Sequence, residues 1–571
     1  MDTAIKSNYD ADYYHQQGIK FQQSNNLTDA ADSFRQAISL QPKNHLYHHK
    51  LGENLTKQNQ LATAVDSYQQ SIQLKPDFFW SYHSMAMCLL WQGKYQNALH
   101  TITKALSLNS QVAASHDILG NCLYKLNKTD EAIEAYQKAI QLNPKSAIAH
   151  HNLGDALAAQ SKIEAALKSY TKAIKLNPNS FWSYYGVGQA FVTSNQYDLA
   201  IEFYQKALKI DPNSAPVYSA LAQLEQRRGN SDRAAEYYQQ AIFLNPTWEL
   251  PYTMLQYLPV NNSRRDKLID FYRQITQKQA DAQLAWGNLG DTLTDKGELI
   301  EAIKCYQNFC YQNAIASNPE LAKLEWKPRK ETAPDFIIIG AGKCGTSSLH
   351  KYISQHPQVL APHKKELNFF HGNFNKGVDW YLSHFPSITD SQEYLTGEAS
   401  PVYFHAPHVD RRIHDLFPQT KLIVLLRNPT DRAVSWHYHQ VKCGIDNITP
   451  EESIKRSIKQ LEQSPDRDLS YHGGHILESL YFYKLKRWMS LFPQEQFLIL
   501  KSEDFFTQPS TVMSQVFDFL GLPQYESPHY VKYNSGLYVP IEDNLRQRLR
   551  EYFQPHNQKL EQYLDRSFGW E

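Results

Sequence analysis

A 34-residue spacing constrains the first half of this chain more than any other feature. Seven alanines recur at this interval, and an aromatic residue or isoleucine follows each of them by four positions. The seven are Ala30, Ala64, Ala98, Ala132, Ala166, Ala200 and Ala234. Prolines recur in the same phase, and small residues follow most of them by ten positions. Because one unit of this length cannot bury its own apolar face, the units must stack on one another to form a core.

The period and the residue pattern resemble the tetratricopeptide repeat, a helix–turn–helix unit. The resemblance implies an all-α superhelix over residues 1–314, with about nine repeats and a degenerate, distorted unit at 246–280. Small residues let the paired helices cross closely, while the aromatic side chain fills the gap and proline ends the unit. Such an array implies a protein partner on its concave surface. The aromatic clusters at 78–82 and 181–185 are expected to pack between helices rather than stack on a ligand.

Composition argues against several partners. The chain has 571 residues, and its 58 basic residues balance 58 acidic ones, so no electrostatic attraction to nucleic acid is implied. Its six cysteines form no CxxC pair, which fits a reducing compartment. The apolar runs are too short to cross a bilayer, and the N-terminus lacks an apolar signal core. We therefore expect a cytoplasmic protein without a membrane span.

The sequence texture changes after the repeats. Residues 315–334 lose the repeat phase and gain proline and charge, which predicts a linker. From 335 to 571, strand-like runs such as FIIIG, KLIVLL and QFLIL alternate with helical stretches. This alternation predicts an α/β, P-loop-like domain with a parallel sheet, so that the whole protein is multidomain. Ligands of such sheets bind beyond the carboxyl ends of the strands.

The stretch DFIIIGAGKCGTSSLHKYI, residues 335–353, predicts an anion-binding loop. A buried strand leads into a glycine-rich turn, and a helix N-terminus follows with unpaired N–H groups. Gly340 and Gly345 have the spacing of an ATP-binding loop, but Thr346 follows Gly345 where that loop has lysine. Lys343 precedes Gly345 by two residues instead. A nucleotide-dependent kinase or NTPase is therefore the alternative rather than the favoured hypothesis.

The order K-x-G-T-S resembles the 5′-phosphosulfate loop of sulfotransferases that use 3′-phosphoadenosine 5′-phosphosulfate (PAPS). A second motif in residues 421–440 ends a strand at Arg427 and places Ser435 eight residues later. An arginine fork and a hydroxyl suit a phosphate, and the spacing resembles the 3′-phosphate site of the same enzymes. Residues 361–386 resemble the heparan-sulfate N- and O-sulfotransferases, in which a glutamate before a Phe-Phe pair is the catalytic base. The matching residue is Glu366.

The resemblance implies sulfuryl transfer from PAPS to a hydroxyl or amine without a metal. It implies that Lys343 neutralises the charge on the leaving phosphate and that Glu366 takes the acceptor proton. The implied cofactor-binding residues are Lys343, Cys344, Gly345, Thr346, Ser347, Arg427 and Ser435. His371 is the rival base, because sulfotransferases of small molecules use histidine. A carbohydrate, lipid, metabolite or protein all remain possible acceptors.

Two departures from the family pattern stand out. Ala399 follows Glu398 where the family often has lysine, and residues 534–537 lack the basic residues of a C-terminal K-G-R loop, which Lys532 is expected to replace. Trp380 and Tyr381 either line the acceptor site or pack in the core. A further alternative is a repeat scaffold with an inactive transferase domain, although both cofactor motifs are intact.

Overall fold

The computed structural model describes residues 10–326, 334–388, 394–445, 447–463, 468–471, 474, 476–527, 530 and 541–570. Contacts between Cα atoms divide the chain into two units, Met1–Asn245 and Pro246–Glu571. The first unit consists of helix pairs, and the second combines further helices with a parallel sheet. None of the helices in the described ranges is long and apolar enough to cross a membrane.

The helices of the first unit alternate between 13 and 14 residues in length. They are α1 (Ala11–Gln23), α2 (Leu27–Leu40), α3 (His45–Lys57), α4 (Leu61–Leu74), α5 (Phe79–Trp91), α6 (Tyr95–Leu108), α7 (Ala113–Lys125), α8 (Thr129–Leu142), α9 (Ala147–Ala159), α10 (Ile163–Leu176), α11 (Phe181–Thr193), α12 (Tyr197–Ile210), α13 (Ala215–Arg227) and α14 (Ser231–Leu244). All seven phase alanines are completely buried. A Cβ atom on Gly52 would lie only 2.7 Å from the ring of Tyr68, and one on Gly188 only 2.4 Å from Tyr204. The predicted contact between a small residue and an aromatic ring is therefore what brings the helices together.

Some residues of the two aromatic clusters in this unit do not pack between helices. Phe79 is buried, but Trp80 and Trp182 are 50% and 59% exposed. The packing expectation is therefore wrong for these two tryptophans. Each follows the first residue of its helix (Phe79 and Phe181), whose ring packs edge-on against the indole. Successive helix positions point about 100° apart, so the two side chains cannot both face the core.

The second unit begins with α15 (Glu249–Gln256), α16 (Asn262–Lys278), α17 (Gln283–Lys296) and α18 (Leu299–Ser317). Helix α15 has only eight residues and α16 has 17, in the region where the sequence predicts a distorted repeat. The segment predicted as a linker starts inside α18 and continues as a 3-10 turn, Pro319–Lys323, in which Leu321 is buried.

The sheet of the second unit has four parallel strands in the order β2-β1-β3-β4. They are β1 (Phe336–Gly340), β2 (Gly397–Ala399), β3 (Lys421–Leu426) and β4 (Phe497–Lys501). The surrounding helices are α19 (Thr346–Ile353), α20 (Val378–Leu382), α21 (Val409–Leu416), α22 (Pro429–Lys442), α23 (Pro450–Glu462), α24 (Tyr481–Trp488), α25 (Ser502–Thr507), α26 (Pro509–Leu520) and α27 (Asp543–Leu564). Strands β1 and β3 are buried along nearly their whole length, as parallel strands covered on both faces should be. The predicted α/β class is confirmed, although the three-residue strand β2 was not foreseen.

Helices α17 and α18 pack directly against the α/β part of the second unit. The ring of Tyr306 lies 3.9 Å from that of His384, centroid to centroid. The indole N–H of Trp380 donates to Thr294 Oγ1 at 2.9 Å, and Cys310 Sγ donates to the His384 carbonyl at 3.2 Å. The polar atoms that these contacts bury are hydrogen-bonded to each other, as buried polar atoms ordinarily are. The last repeat and the α/β part therefore share one interior.

The pair formed by half-buried His363 and fully buried His384 makes this interior sensitive to acid. Their Nδ1 atoms lie 3.1 Å apart. Burial lowers the pKa of His363 to about 4 and holds the pKa of His384 well below its ordinary value. Between pH 6.5 and 4 the unfolded chain binds protons that the folded chain does not, so stability falls as the pH falls through this window. We expect the melting temperature of the full chain to drop between pH 7.5 and 5.0.

The replacement His384→Leu should flatten this pH dependence, because it removes one buried imidazole that resists protonation. The exposed His371 provides the control, since His371→Gln should leave the slope unchanged. Thermal unfolding at several pH values measures both. A wild-type slope in the His384→Leu variant would show that the acid response arises elsewhere.

Candidate active site at the carboxyl edge of the sheet

The glycine-rich loop, residues 340–345, joins β1 to the N-terminus of α19. Gly345 has φ of +100° and forms the N-cap of α19. The Cys344 carbonyl accepts a hydrogen bond from Ser502 Oγ at 2.7 Å, which ties the loop to the start of α25. Thr346 is buried and Ser347 is half-buried in the first turn. The unpaired N–H groups of this turn therefore lie beyond the carboxyl end of β1, where an anion binds favourably.

Arg427 lies at the end of β3, directly beside this loop. Its Nη1 donates to the Lys343 carbonyl at 3.4 Å, although the two residues are 84 positions apart in sequence. The hydroxyl of Tyr481 donates to the Arg427 carbonyl at 2.9 Å, and the N–H of Asn428 donates to Glu503 at 2.8 Å. The two predicted anion-binding motifs therefore lie next to each other, close enough for one nucleotide to contact both.

Positive charge accumulates around Lys343. Burial lowers the pKa of its ammonium group, and the charges of Arg432, Lys442 and Arg427 act in the same direction. Such a cluster repels a further proton and attracts an anion. A doubly phosphorylated nucleotide carries negative charge, which this cluster of cations attracts. The residues present therefore fit PAPS.

The other predicted nucleotide contacts have less accessible side chains. Ser435 lies on α22, the helix that follows Arg427, and is only 2% exposed. The Cys344 thiol is fully buried, and burial raises its pKa. Its backbone N–H donates to the Ala341 carbonyl at 3.3 Å and its carbonyl accepts from Ser502, so the nucleotide contact predicted for Cys344 stays a prediction. Lys532 and residues 534–537 lie outside the described residues.

Glu366 lies in the segment after α19, where it contacts the last residue of β2, the strand next to β1. Its N–H donates to the Ala399 carbonyl at 3.1 Å, and its φ of +63° is unusual for a glutamate. Unusual backbone conformations of this kind concentrate at functional sites. The side chain is 53% exposed and accepts a hydrogen bond from Lys365. Glu366 also lines a cleft of about 320 Å³, whose described lining does not include His371.

The charges of both predicted catalytic residues, Lys343 and Glu366, act on His439. Burial lowers the pKa of its imidazole, the charges of Lys343 and Lys442 lower it further, and the charge of Glu366 opposes them. Lys343 and Glu366 therefore both lie near one imidazole on α22.

Sequence reasoning missed the buried pair Arg432 and Glu478. Both side chains are fully buried and joined by a 2.6 Å hydrogen bond. Arg432 Nε donates to the Gly342 carbonyl at 3.0 Å, so the pair fixes the glycine-rich loop from behind. Arg432 is visible in the motif five residues after Arg427, but nothing in the local sequence identifies Glu478 as its partner.

Glu398 has a structural role that the sequence did not reveal. It is fully buried and accepts hydrogen bonds from Tyr381 and Ser400 at 2.7 Å and from Tyr403 at 3.1 Å. Tyr381 therefore belongs to the core. Trp380 is also buried, at 2% exposure, although its edge lines the cleft.

Comparison with known proteins agrees with this geometry. Residues 333–535 match the family model described as sulfotransferase domain. This chain carries a sulfotransferase domain. Models described as TPR repeat or tetratricopeptide repeat match residues 15–77, 120–161, 154–194, 188–229, 215–247 and 284–316, and a model of anaphase-promoting complex, cyclosome, subunit 3 matches 57–139. The repeats and the sulfotransferase domain are thus both confirmed.

Two sulfotransferases are among the relatives of this chain. Membrane-associated sulfotransferase kil1 of Dictyostelium discoideum is 26% identical over 313 residues, covering 42% of this chain and 66% of that protein. Human bifunctional heparan sulfate N-deacetylase/N-sulfotransferase 3 is 29% identical over 270 residues, covering 42% of this chain and 31% of the enzyme. The chain thus spans less than two thirds of each relative. A sulfotransferase structure from Alicyclobacillus acidocaldarius is 30% identical with a TM-score of 0.36, covering 42% of this chain and 99% of that one.

The Arg432–Glu478 pair yields a stability prediction for the sulfotransferase domain. Arg432→Leu should lower the free energy of unfolding by about 3–5 kcal/mol, because it leaves the Glu478 carboxylate buried and unpaired. The double variant Arg432→Leu/Glu478→Leu should recover most of that loss. Denaturant unfolding measures both. A double variant as unstable as the single one would show that the charge pairing is not the cause.

Proposed function

We propose that this protein transfers a sulfuryl group from PAPS to a hydroxyl or amine of an acceptor. The observation that carries the proposal is the contact between the glycine-rich loop and Arg427 at one edge of a parallel sheet, with Glu366 hydrogen-bonded to the last residue of the neighbouring strand. PAPS supplies an activated sulfuryl group whose bond to the bridging phosphate oxygen breaks as a new bond to the acceptor forms.

The residues divide this work by position. Lys343 and the N–H groups of Gly345, Thr346 and Ser347 stabilise the negative charge that collects on the leaving phosphate oxygen. Arg427, with Ser435, holds the 3′-phosphate. The proton lost by the acceptor goes to the Glu366 carboxylate. The chain's own cations supply the charge that the reaction needs, so the proposal includes no metal.

The base assignment favours Glu366 over His371. Glu366 lines the cleft, and its charge acts on His439 together with that of Lys343. His371 is exposed on the turn Phe369–Asn373 and lies outside the described lining of the cleft. A base must come within hydrogen-bond reach of the proton it removes. The geometry therefore supports the carboxylate.

The variant Lys343→Ala should lower kcat by about 10²–10³-fold, because it removes a preorganised cation from the leaving group. The measurement is transfer of labelled sulfate from PAPS to a panel of alcohols and amines. Calorimetry with 3′-phosphoadenosine 5′-phosphate and with ATP supplies the control. Tight binding of ATP instead of the adenosine bisphosphate would contradict the proposal and favour a kinase or NTPase.

The variant Glu366→Gln should lower kcat by about 10²–10⁴-fold, because an amide cannot accept the acceptor proton. Binding of 3′-phosphoadenosine 5′-phosphate should stay unchanged, since the side chain contacts the acceptor side of the site. His371→Gln is the matched control and should keep wild-type activity. A large loss in His371→Gln with an active Glu366→Gln would reverse the assignment.

We further propose that the repeats recruit a protein partner or bring an acceptor to the transferase domain. Repeats of this type commonly present a surface to a peptide or protein. Half-exposed Trp80 and Trp182 provide large apolar contacts of the kind that interfaces favour.

A further inference from the structure

The cleft that contains Glu366 has walls from two different parts of the second unit. One wall belongs to helices α15, α16 and α17 of the last repeats, and the other to residues 364–380 of the sulfotransferase domain. Its volume of about 320 Å³ lies at the lower end of the range for small-molecule sites. A ligand in this cleft would therefore contact the proposed base and the repeats at the same time.

The repeat wall presents polar groups to the cleft. Asp295, at the end of α17, is exposed and has no hydrogen bond or salt bridge among the described residues. Gln256, at the end of α15, is also exposed, and its Nε2 donates to Asn288 Oδ1 at 2.7 Å. Leu268 and Tyr272 of α16 form an apolar floor. Amide and carboxylate groups over an apolar floor suit a ligand that has hydroxyl groups on a compact carbon skeleton.

The two lysines of the opposite wall already interact with other side chains of the protein. Lys364 Nζ donates to Asp291 at 2.7 Å, which joins this wall to α17. Lys376 lies 4.8 Å above the ring of Trp380, and burial lowers its pKa. Neither ammonium group is held ready for a ligand carboxylate or sulfate.

The charges of the cleft balance. Among the described lining residues, the cations are Arg265, Lys364 and Lys376, and the carboxylates are Asp291, Asp295 and Glu366. A site for a polyanion needs a surplus of positive charge, because each buried anionic group must be paired. A balanced cleft with an unpaired carboxylate disfavours such an acceptor.

We propose that helices α15 and α17 of the last repeats form part of the acceptor site, and that this site takes an uncharged, hydroxyl-rich group such as the sugar ring of a glycoside. This inference rests on the proposed sulfuryl transfer. It assigns acceptor selection to Asp295 and Gln256, which hydrogen-bond ring hydroxyls while Glu366 faces the hydroxyl that reacts. The oxygen of that hydroxyl bonds to sulfur, its proton passes to Glu366, and the adenosine bisphosphate leaves with the electron pair of the broken S–O bond.

The test compares Asp295→Ala and Gln256→Ala with the wild type on neutral alkyl glycosides, an amino sugar and a polyanionic polysaccharide. Each variant should raise KM for a neutral glycoside about tenfold, the effect of losing one or two hydrogen bonds to the ligand. Their kcat and the Kd of 3′-phosphoadenosine 5′-phosphate should stay near wild type. Asp281→Ala is the matched control, because Asp281 is an exposed carboxylate between α16 and α17 outside the cleft.

The outcomes separate this inference from the function on which it rests. Unchanged KM in both variants, or a polyanion preferred over every neutral glycoside, would overturn the repeat-lined site while leaving sulfuryl transfer intact. Failure of the wild type to bind 3′-phosphoadenosine 5′-phosphate would instead defeat the proposed function itself. A KM increase confined to the cleft variants, with neutral glycosides as acceptors, would support the inference.

Discussion

The parallel pairing of β1 with β2 and β3 is the constraint on which the site depends. Parallel strands end at the same edge of a sheet, so every loop that leaves them enters one crevice. The register pairs Phe336 with both Gly397 and Lys421, so the three strands start at the same level and run in the same direction. The glycine-rich loop, Arg427 and the backbone partner of Glu366 all lie at this edge. Residues distant in sequence therefore meet without any long-range reach of their side chains.

Several positively charged side chains lie close together at this site, although like charges repel each other. Lys343 and Arg427 adjoin, and a fully buried Arg432 lies behind the loop. Glu478 neutralises Arg432, so the charge behind the loop is paired. Hydrogen bonds from Ser502 and Tyr481 hold the two loops in place. Donors fixed before the ligand arrives lose little free energy in reorganising, which is how such sites favour a transition state.

The last repeat follows the same packing rule as the others and also serves the sulfotransferase domain. The ring of Tyr306 fills the space beside Gly290, where a Cβ would lie 2.6 Å away. The same ring packs against His384, and the neighbouring Trp380 donates to Thr294. One aromatic residue thus connects the repeat core to the wall of the cleft. The repeats of the second unit therefore form part of the wall of the cleft that contains Glu366.

The repeat packing, three of the four strands and the loops that follow β1 and β3 could be predicted from the sequence, because each depends on neighbours within one or two turns or on continuous burial. The alanines that recur every 34 residues, the FIIIG run and the K-x-G-T-S order can all be recognised in the sequence alone. The partner of Arg432, which lies 46 positions away, and the cleft shared by Asp295 and Glu366 depend on how distant segments pack, and the sequence did not predict them. A buried ion pair or a cleft wall joins residues through space, and a single sequence has no local pattern that records such a pairing. The exposure of Trp80 and Trp182 was misjudged for the same reason, since an aromatic residue in a repeat faces inward or outward according to the helices around it.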